Sequence, residues 1–274
     1  MSKQVLFIGF GQIANYLFEN HIKLGHDVKV FDPRIMSGCN LGKFTGQRKP
    51  LVYYTSAAQT RLMDSDNEND LQVFNVEKPR HLFNILTSEF NSGELIYFNT
   101  CHIYKNRYVT NKTSIDPISK YAETKLETEL YLQSNRGDWS VKSVVLFPSI
   151  SPLQKNNVVQ RLLNTMIMKN KVATNERQSF CISHAKDMAE AIFKIVAGPD
   201  LLSRVNLDLG TKFDADDFLD FVKTNKTLLS NRADKNGLFI DLDHKIEPYL
   251  LEKRVAKKTK DELFKSFLVA DVSQ

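Results

Sequence analysis

Val5-Leu6-Phe7-Ile8-Gly9-Phe10-Gly11-Gln12-Ile13-Ala14 decides the fold. A short apolar run reads as a buried strand, and the residues from Gln12 to Leu24 carry helical periodicity up to Gly25. The pattern GxGxxA between them is common by itself. Its context makes it informative: a strand precedes it, a helix follows it, and Asp32 ends the next apolar run, Val28–Phe31. Gly9 and Gly11 let the backbone turn tightly and approach a pyrophosphate, and Ala14 keeps the helix close to the sheet. Gln12 and Ile13 open the helix, whose first N–H groups and positive dipole end suit an anion. Asp32 can accept the ribose hydroxyl hydrogen bonds of NAD. Arg34 could instead pair with the extra phosphate of NADP, so NAD is favoured and NADP stays open.

Outward from this turn, apolar runs alternate with helical patterns. Leu51–Thr55, Leu95–Asn99 and Val141–Phe147 read as strands, and Glu77–Phe90 and Tyr121–Ser134 as helices. Such alternation predicts an α/β fold with a doubly wound parallel sheet. The polar, glycine-containing stretch from Pro33 to Pro50 holds no clear strand–helix pair. The character changes at Pro148. Val158–Met168, His184–Val196, Asp214–Thr224 and Lys257–Leu268 read as helices, and Val205–Leu209 as one more strand of the main sheet. The expected organisation is a dinucleotide-binding domain over 1–150 and a smaller substrate lobe over 151–274, with about 186–211 returning to the main sheet.

Composition narrows the function. A chain of 274 residues with 42% hydrophobic and 25% charged residues is ordinary for a globular protein. The net charge of +5 is mild, and no basic run interleaves with aromatics, so nucleic acid is not implied. The densest basic stretch, Lys253 to Lys260, reads as a solvated helix face. The apolar run before Gly9 is too short for a signal peptide or a membrane span. Cys39, Cys101 and Cys181 are scattered and odd in number, which fits a reducing cytoplasm rather than a disulfide framework. No metal-ligand spacing is present, and His21 and His26, flanking a helix end, read as solvated.

Tyr121 and Lys125 stand four residues apart at the start of a predicted helix, and Thr100 ends a predicted strand. That spacing puts phenol and ammonium on one face. A cation beside a phenol favours the phenolate, which can exchange a proton with a substrate oxygen. Tyr108–Lys112 and Tyr249–Lys253 repeat the spacing, so context must choose among the three pairs.

Several ordered segments supply that context: Leu51-Val52-Tyr53-Tyr54-Thr55-Ser56-Ala57-Ala58, Asn75-Val76 before a helix, Asn99-Thr100-Cys101-His102-Ile103-Tyr104, Tyr121-Ala122-Glu123-Thr124-Lys125-Leu126-Glu127, and His184-Ala185-Lys186-Asp187. Over about residues 3–210 the set resembles the extended short-chain dehydrogenase/reductase superfamily, the group of NAD-dependent epimerases, dehydratases and sugar-nucleotide reductases. The resemblance implies that Thr100, Tyr121 and Lys125 are catalytic. It implies that Lys125, Ala57 and Pro148 join Gly9, Gly11, Gln12, Ile13, Asp32 and Arg34 around NAD or NADP. The substrate implied is a sugar, nucleotide-linked, with a 4-keto reductase and an epimerase both open. It also implies a homodimer through the helices carrying Leu82, Leu126 and Leu130. Tyr108 and Tyr249 fall outside the pattern.

The chain departs from that family where a substrate diphosphate would bind. Phe147 stands where an arginine is expected, Ile150 where some members keep a polar group, and Phe180 where another arginine often lies. Arg161, Arg177 and Lys155 are candidate replacements, and His102 is a candidate substrate contact. A non-catalytic NAD(P) sensor of the same fold is the alternative class, disfavoured by retention of all three catalytic positions.

Overall fold

The computed structural model describes residues 2–31, 49–56, 68–105, 109, 113–147, 149–150, 180–198, 203–207, 211–213 and 269–270. The strands, in chain order, are β1 (Gln4–Ile8), β2 (Asp27–Phe31), β3 (Leu51–Tyr54), β4 (Glu94–Thr100), β5 (Ser140–Leu146), β6 (Ser149–Ile150), β7 (Phe180–His184), β8 (Arg204–Leu207), β9 (Thr211–Phe213) and β10 (Val269–Ala270). The helices are α1 (Gln12–Lys23), α2 (Glu68–Gln72), α3 (Lys78–Glu89), α4 (Lys120–Ser134) and α5 (Ala185–Ala197).

The chain divides into two compact units. The larger comprises Met1–Leu146, Ala189–Leu207 and Leu268–Gln274, and the smaller comprises Phe147–Met188 and Asp208–Phe267. In the larger unit seven strands run in the order β10-β8-β5-β4-β3-β1-β2. Every neighbouring pair from β2 to β8 is parallel, and β10 adds to the edge antiparallel to β8. β1 and β3 are buried at every residue, as continuous apolar runs in a parallel sheet should be. The strand order reverses between β1 and β3. A crevice at the carboxyl ends of two such strands is where open α/β sheets bind ligands.

One face of the sheet is covered by α3 and α4. Leu82, Phe83 and Leu86 of α3 and Leu132 of α4 pack on Leu6, Val52, Leu95, Tyr97 and Val141. Trp139 closes this core, edge-on to Phe83 and donating through Nε1 to the Phe90 carbonyl at 3.2 Å. On α1, Ile13, Leu17 and His21 recur at helical spacing and are buried. Gly25, at φ +69°, follows the end of that helix.

The smaller unit contains a sheet in which β7 lies between parallel β6 and antiparallel β9.

Three expectations need correction. The α3 helix does not begin the helical stretch: α2 and a π-helical segment, Val73–Glu77, lead into it, so Asn75 and Val76 lie within helix rather than before it. His21 is buried, with Nδ1 2.8 Å from His26 Nδ1 and Nε2 2.9 Å from the Tyr53 hydroxyl. The apolar surroundings of β1 and β3 outweigh the polarity of a lone imidazole, because both ring nitrogens find partners. Leu82 belongs to the protein's own core and offers nothing to a partner. The strand Phe180–His184 was not anticipated from the sequence. The expected helices Val158–Met168, Asp214–Thr224 and Lys257–Leu268 lie outside the described residues, as does the stretch from Pro33 to Pro50 apart from Lys49 and Pro50.

Candidate active site

The turn after β1 is fixed by backbone contacts at the switch point. Gly9 has φ +85°, and a Cβ on it would stand 2.8 Å from Ser56 Cβ and 2.9 Å from Ser56 Cα. Only glycine tolerates both the left-handed backbone and that approach. Gly9 N–H donates to the Phe31 carbonyl at 2.8 Å, and its own carbonyl accepts from Thr55 Oγ1 at 2.9 Å. The ends of β1, β2 and β3 are thereby tied at one point.

Gly11 behaves differently. Among the described residues, a Cβ there would meet nothing within 4 Å. It is the N-cap of α1, its backbone is extended, and no side chain caps the helix. The first turn holds no acidic residue. The amide donors and positive dipole end of α1 therefore emerge beside an open approach, a combination suited to a phosphate group. Ala14, buried to 1% exposure, lets α1 lie close on the sheet. Gln12 is half-buried and Ile13 buried. These residues fit a dinucleotide. Asp32, Arg34, Ala57 and Pro148 lie outside the described residues, as do the substrate candidates Arg161, Arg177 and Lys155.

The second part of the site is built on α4 and β4. Ser119 caps α4, its Oγ accepting from the Ala122 N–H at 3.2 Å. The segment before the cap is laced to the 3-10 turn that follows Thr100, Cys101–Ile103: Asp116 N–H donates to the Ile103 carbonyl at 2.9 Å, and Ile118 N–H to the His102 carbonyl at 3.0 Å. This lacing sets the start of α4, and with it Tyr121, beside the end of β4. Thr100 Oγ1 accepts from His102 N–H at 3.3 Å. Tyr104, one residue past the turn, donates to Asn206 Oδ1 on β8 at 2.9 Å. The turn that carries Thr100 and His102 and the first turns of α4, with Tyr121 and Lys125, thus lie at the carboxyl end of the central strand β4.

Lys125 is buried to 2% exposure, with Nζ 4.2 Å from the centroid of the Tyr97 ring. Burial brings its pKa down to about 7, while the charge of Glu129 acts the other way. Tyr97 donates to the Lys125 carbonyl at 3.2 Å, and burial holds its hydroxyl well above its ordinary range. Tyr121 and Glu129 add to that rise, so both act on the same ring from α4. The His102 pKa is lowered by burial, and its Nδ1 has no hydrogen-bond partner among the described residues. No group of three His, Cys, Asp or Glu among the described residues could hold a metal ion.

A family model, the NAD dependent epimerase/dehydratase family, matches residues 8–207. The chain belongs to that family. It is therefore an NAD-dependent enzyme of the short-chain dehydrogenase/reductase type, as the ordered motifs implied. The sequence matches no curated protein at a significant level. Solved structures share the fold at low identity. An NAD-dependent NDP-hexosamine 5,6-dehydratase of tunicamycin biosynthesis is 19% identical, with a TM-score of 0.66 over 82% of each chain. A UDP-N-acetylglucosamine 4-epimerase from Methanobrevibacter ruminantium is 17% identical, with a TM-score of 0.67 over 82% of this chain and 83% of the other. A dTDP-4-dehydrorhamnose reductase from Clostridium acetobutylicum is 16% identical, with a TM-score of 0.66 over 81% of this chain and 80% of the other.

Within this family member, the sequence reading missed the residues that hold α4 in place. Glu129 is buried and accepts from Asn99 Nδ2 and from Arg204 Nε, the latter at 2.5 Å. Thr128 Oγ1 donates to the Asn75 carbonyl, and Asn75 Nδ2 donates to Thr124 Oγ1 at 3.3 Å. The one sequence signal was the continuation of the four-residue stripe from Tyr121 and Lys125 to Glu129. Phe147, in place of an arginine, directly follows β5 and is largely buried. Phe180 begins β7, and its side chain, like that of Ile150, is outside the described residues.

Proposed function

We propose that this enzyme interconverts a carbonyl and a hydroxyl on a nucleotide-linked sugar, in the manner of a 4-keto-sugar reductase or an epimerase. The observation that carries this reading is the lacing of α4 onto the turn after Thr100, with Lys125 buried one helical turn beyond Tyr121. In this reading Tyr121 gives a proton to the substrate oxygen or takes one from it. The Lys125 cation, held off from water, favours the phenolate. The Thr100 hydroxyl binds the same oxygen and stabilises charge that develops there. Gly9, Gly11, Gln12 and Ile13 would hold the dinucleotide pyrophosphate, Asp32 or Arg34 its adenosine ribose, and Ala57, Lys125 and Pro148 its remainder. When bound, NAD or NADP supplies or accepts a hydride. His102, Arg161 and Arg177 are assigned to the substrate. The fold neighbours act on NDP-, UDP- and dTDP-linked sugars by their names, which supports that substrate class.

A homodimer through α3 and α4 remains part of the proposal, resting on Leu130, 54% exposed, and the half-buried Leu126. A cytoplasmic setting is proposed from the scattered cysteines. Among the described residues no helix is long and apolar enough to cross a membrane.

The test is Tyr121→Phe, assayed against a panel of nucleotide sugars and ketosugars with NADH and NADPH. Dinucleotide affinity should stay within about twofold while turnover falls roughly 10²–10⁴-fold. Turnover at the wild-type rate would sink the assignment. Purified protein carrying bound NAD would select the epimerase over the reductase, since an epimerase keeps its cofactor between turns.

A further inference from the structure

The stripe on α4 does not stop at the two residues the chemistry uses. Tyr121, Lys125 and Glu129 follow one another at four-residue spacing, and Lys125 and Glu129 are each 2% exposed. We propose that Glu129 is a positioning residue for this active site: its carboxylate is the counter-charge of Lys125 and sets the Asn99 amide that holds Thr100. The proposal rests on the hydride-transfer reading given above.

The Thr100 arm is a chain of hydrogen bonds. A carboxylate can only accept, so the NH₂ of Asn99 must face Glu129. That leaves Asn99 Oδ1 for the backbone N–H of Thr100, at 2.7 Å. The orientation of one amide thereby fixes the backbone at the residue whose hydroxyl would meet substrate. The other carboxylate oxygen takes Arg204 Nε at 2.5 Å, which ties α4 to β8 as well as to β4.

The Lys125 arm is electrostatic. The ammonium lies against the Tyr97 ring of β4 and feels the charge of Glu129 from α4 itself; Tyr54 of β3 and Tyr121 of α4 act on that same Tyr97, and the turn after β4 carries His102. His102 has its pKa lowered by burial. Arg204 of β8 is paired with Glu129. On the α2–α3 stretch, Glu68, Asp70, Glu77 and His81 are exposed, Lys78 and Arg80 are half-buried, and Arg80 pairs with Glu127. Lys142 of β5 alternates to the sheet face opposite α4, since Val141 packs with Leu132 of that helix. Among the described residues, Glu129 is the charge that holds the Lys125 cation against its loss of solvation. A buried ion pair costs more than an apolar substitute of the same shape, so anchorage alone is a poor reason for a carboxylate here.

The test uses the full chain, with Glu129→Gln and Glu129→Asp beside the wild type and Tyr121→Phe. Melting temperature, NADH affinity and the pH profile of kcat are measured for each. Lys125 must be charged, so turnover is lost as pH rises through its pKa. Removing the counter-charge lowers that pKa. The alkaline limb should therefore move down by about one pH unit in Glu129→Gln, with kcat at neutral pH reduced about fivefold. Glu129→Asp should return the limb toward wild type. If the single variant fails to fold, Glu129→Gln/Arg204→Gln also removes the guanidinium that would be orphaned and should show the same displaced limb. An unmoved limb in a folded variant that binds NADH overturns the role of Glu129 while leaving the hydride-transfer reading intact. A wild-type protein that turns over no ketosugar or nucleotide sugar overturns both.

Discussion

The α1 half and the α4 half of the large sheet each bury a base, and they treat it in opposite ways. On α1, His21 has a hydrogen-bond partner on each ring nitrogen and, among the described residues, no carboxylate acting on it. Burial, with the charges of His26 and Lys3, lowers its pKa to about 4, so at neutral pH it is a neutral spacer between α1 and Tyr53. On α4, Lys125 lies over an aromatic ring with a carboxylate one turn away, and its pKa falls to about 7. The first base is silenced and the second is left on the edge of protonation. Both shifts begin with burial, so a displaced pKa alone does not mark a functional group. The partners that oppose the displacement do.

The sharpest way to break this contrast is through the two glycines of the α1 half, where shape rather than charge is expected to matter. Gly9→Ala should cost about 3 kcal/mol or more, because φ +85° and the approach to Ser56 both reject a methyl group. Gly11→Ala has room for its methyl and should melt within about 0.5 kcal/mol of wild type. Its NADH affinity should fall at least about tenfold, because that room is then filled. Urea unfolding and a fluorescence titration separate the two outcomes, and equal losses of stability would erase the distinction.

Acid should distinguish the two bases next. The folded state holds His21 at about 4, below its ordinary 6.5. The unfolded chain therefore binds that proton first, and stability falls as pH drops from about 6.5 to 4, by up to about 3 kcal/mol. In His21→Gln the decline over that window should be shallower. A wild-type slope in the variant would show that His21 does not set it.

Lys125 should give the smallest effect, with the opposite sign. Burying a cation disfavours the fold at neutral pH, because the unfolded chain keeps the proton up to about 10.5. Lys125→Met should raise stability at pH 7 by about 2 kcal/mol, the lost contacts with Tyr97 and Glu129 offsetting part of a larger gain. The gain should vanish as pH rises past 10.5, while turnover is lost throughout. A variant less stable than wild type at pH 7 would make Lys125 a structural residue.

These two halves were also unequally legible in the sequence. The β1–α1 turn is a local device: strand, glycines and helix are contiguous, so Gly9, Gly11 and Ala14 could be read directly. Thr100, Tyr121 and Lys125 were found because their order along the chain resembled a family, not because any spacing was unique. The residues that hold them left one local trace, the four-residue stripe that runs on from Lys125 to Glu129. Asn75, Asn99, Glu129 and Arg204 come from four separate elements, and nothing in a linear pattern says that a helical glutamate will be buried against an arginine from a later strand. His21 was misread for the same reason, since Tyr53, its partner, lies on another strand. The π-helical insertion at Val73–Glu77 leaves no mark in the hydrophobic periodicity of so short a segment.

The ion pair between Glu129 and Arg204 joins residues 75 apart in the chain. Its consequence is one of timing. During synthesis or refolding, α4 can form from local contacts as soon as its own residues are available, and β1 to β5 can assemble around it. The carboxylate then waits for a strand that lies beyond the first segment of the smaller unit. Until β8 docks, Glu129 has no guanidinium, and the helix bearing Tyr121 and Lys125 is held by a partly satisfied polar contact. The active site is thus among the last parts of the sheet to become rigid, although the helix that carries it is among the first to form.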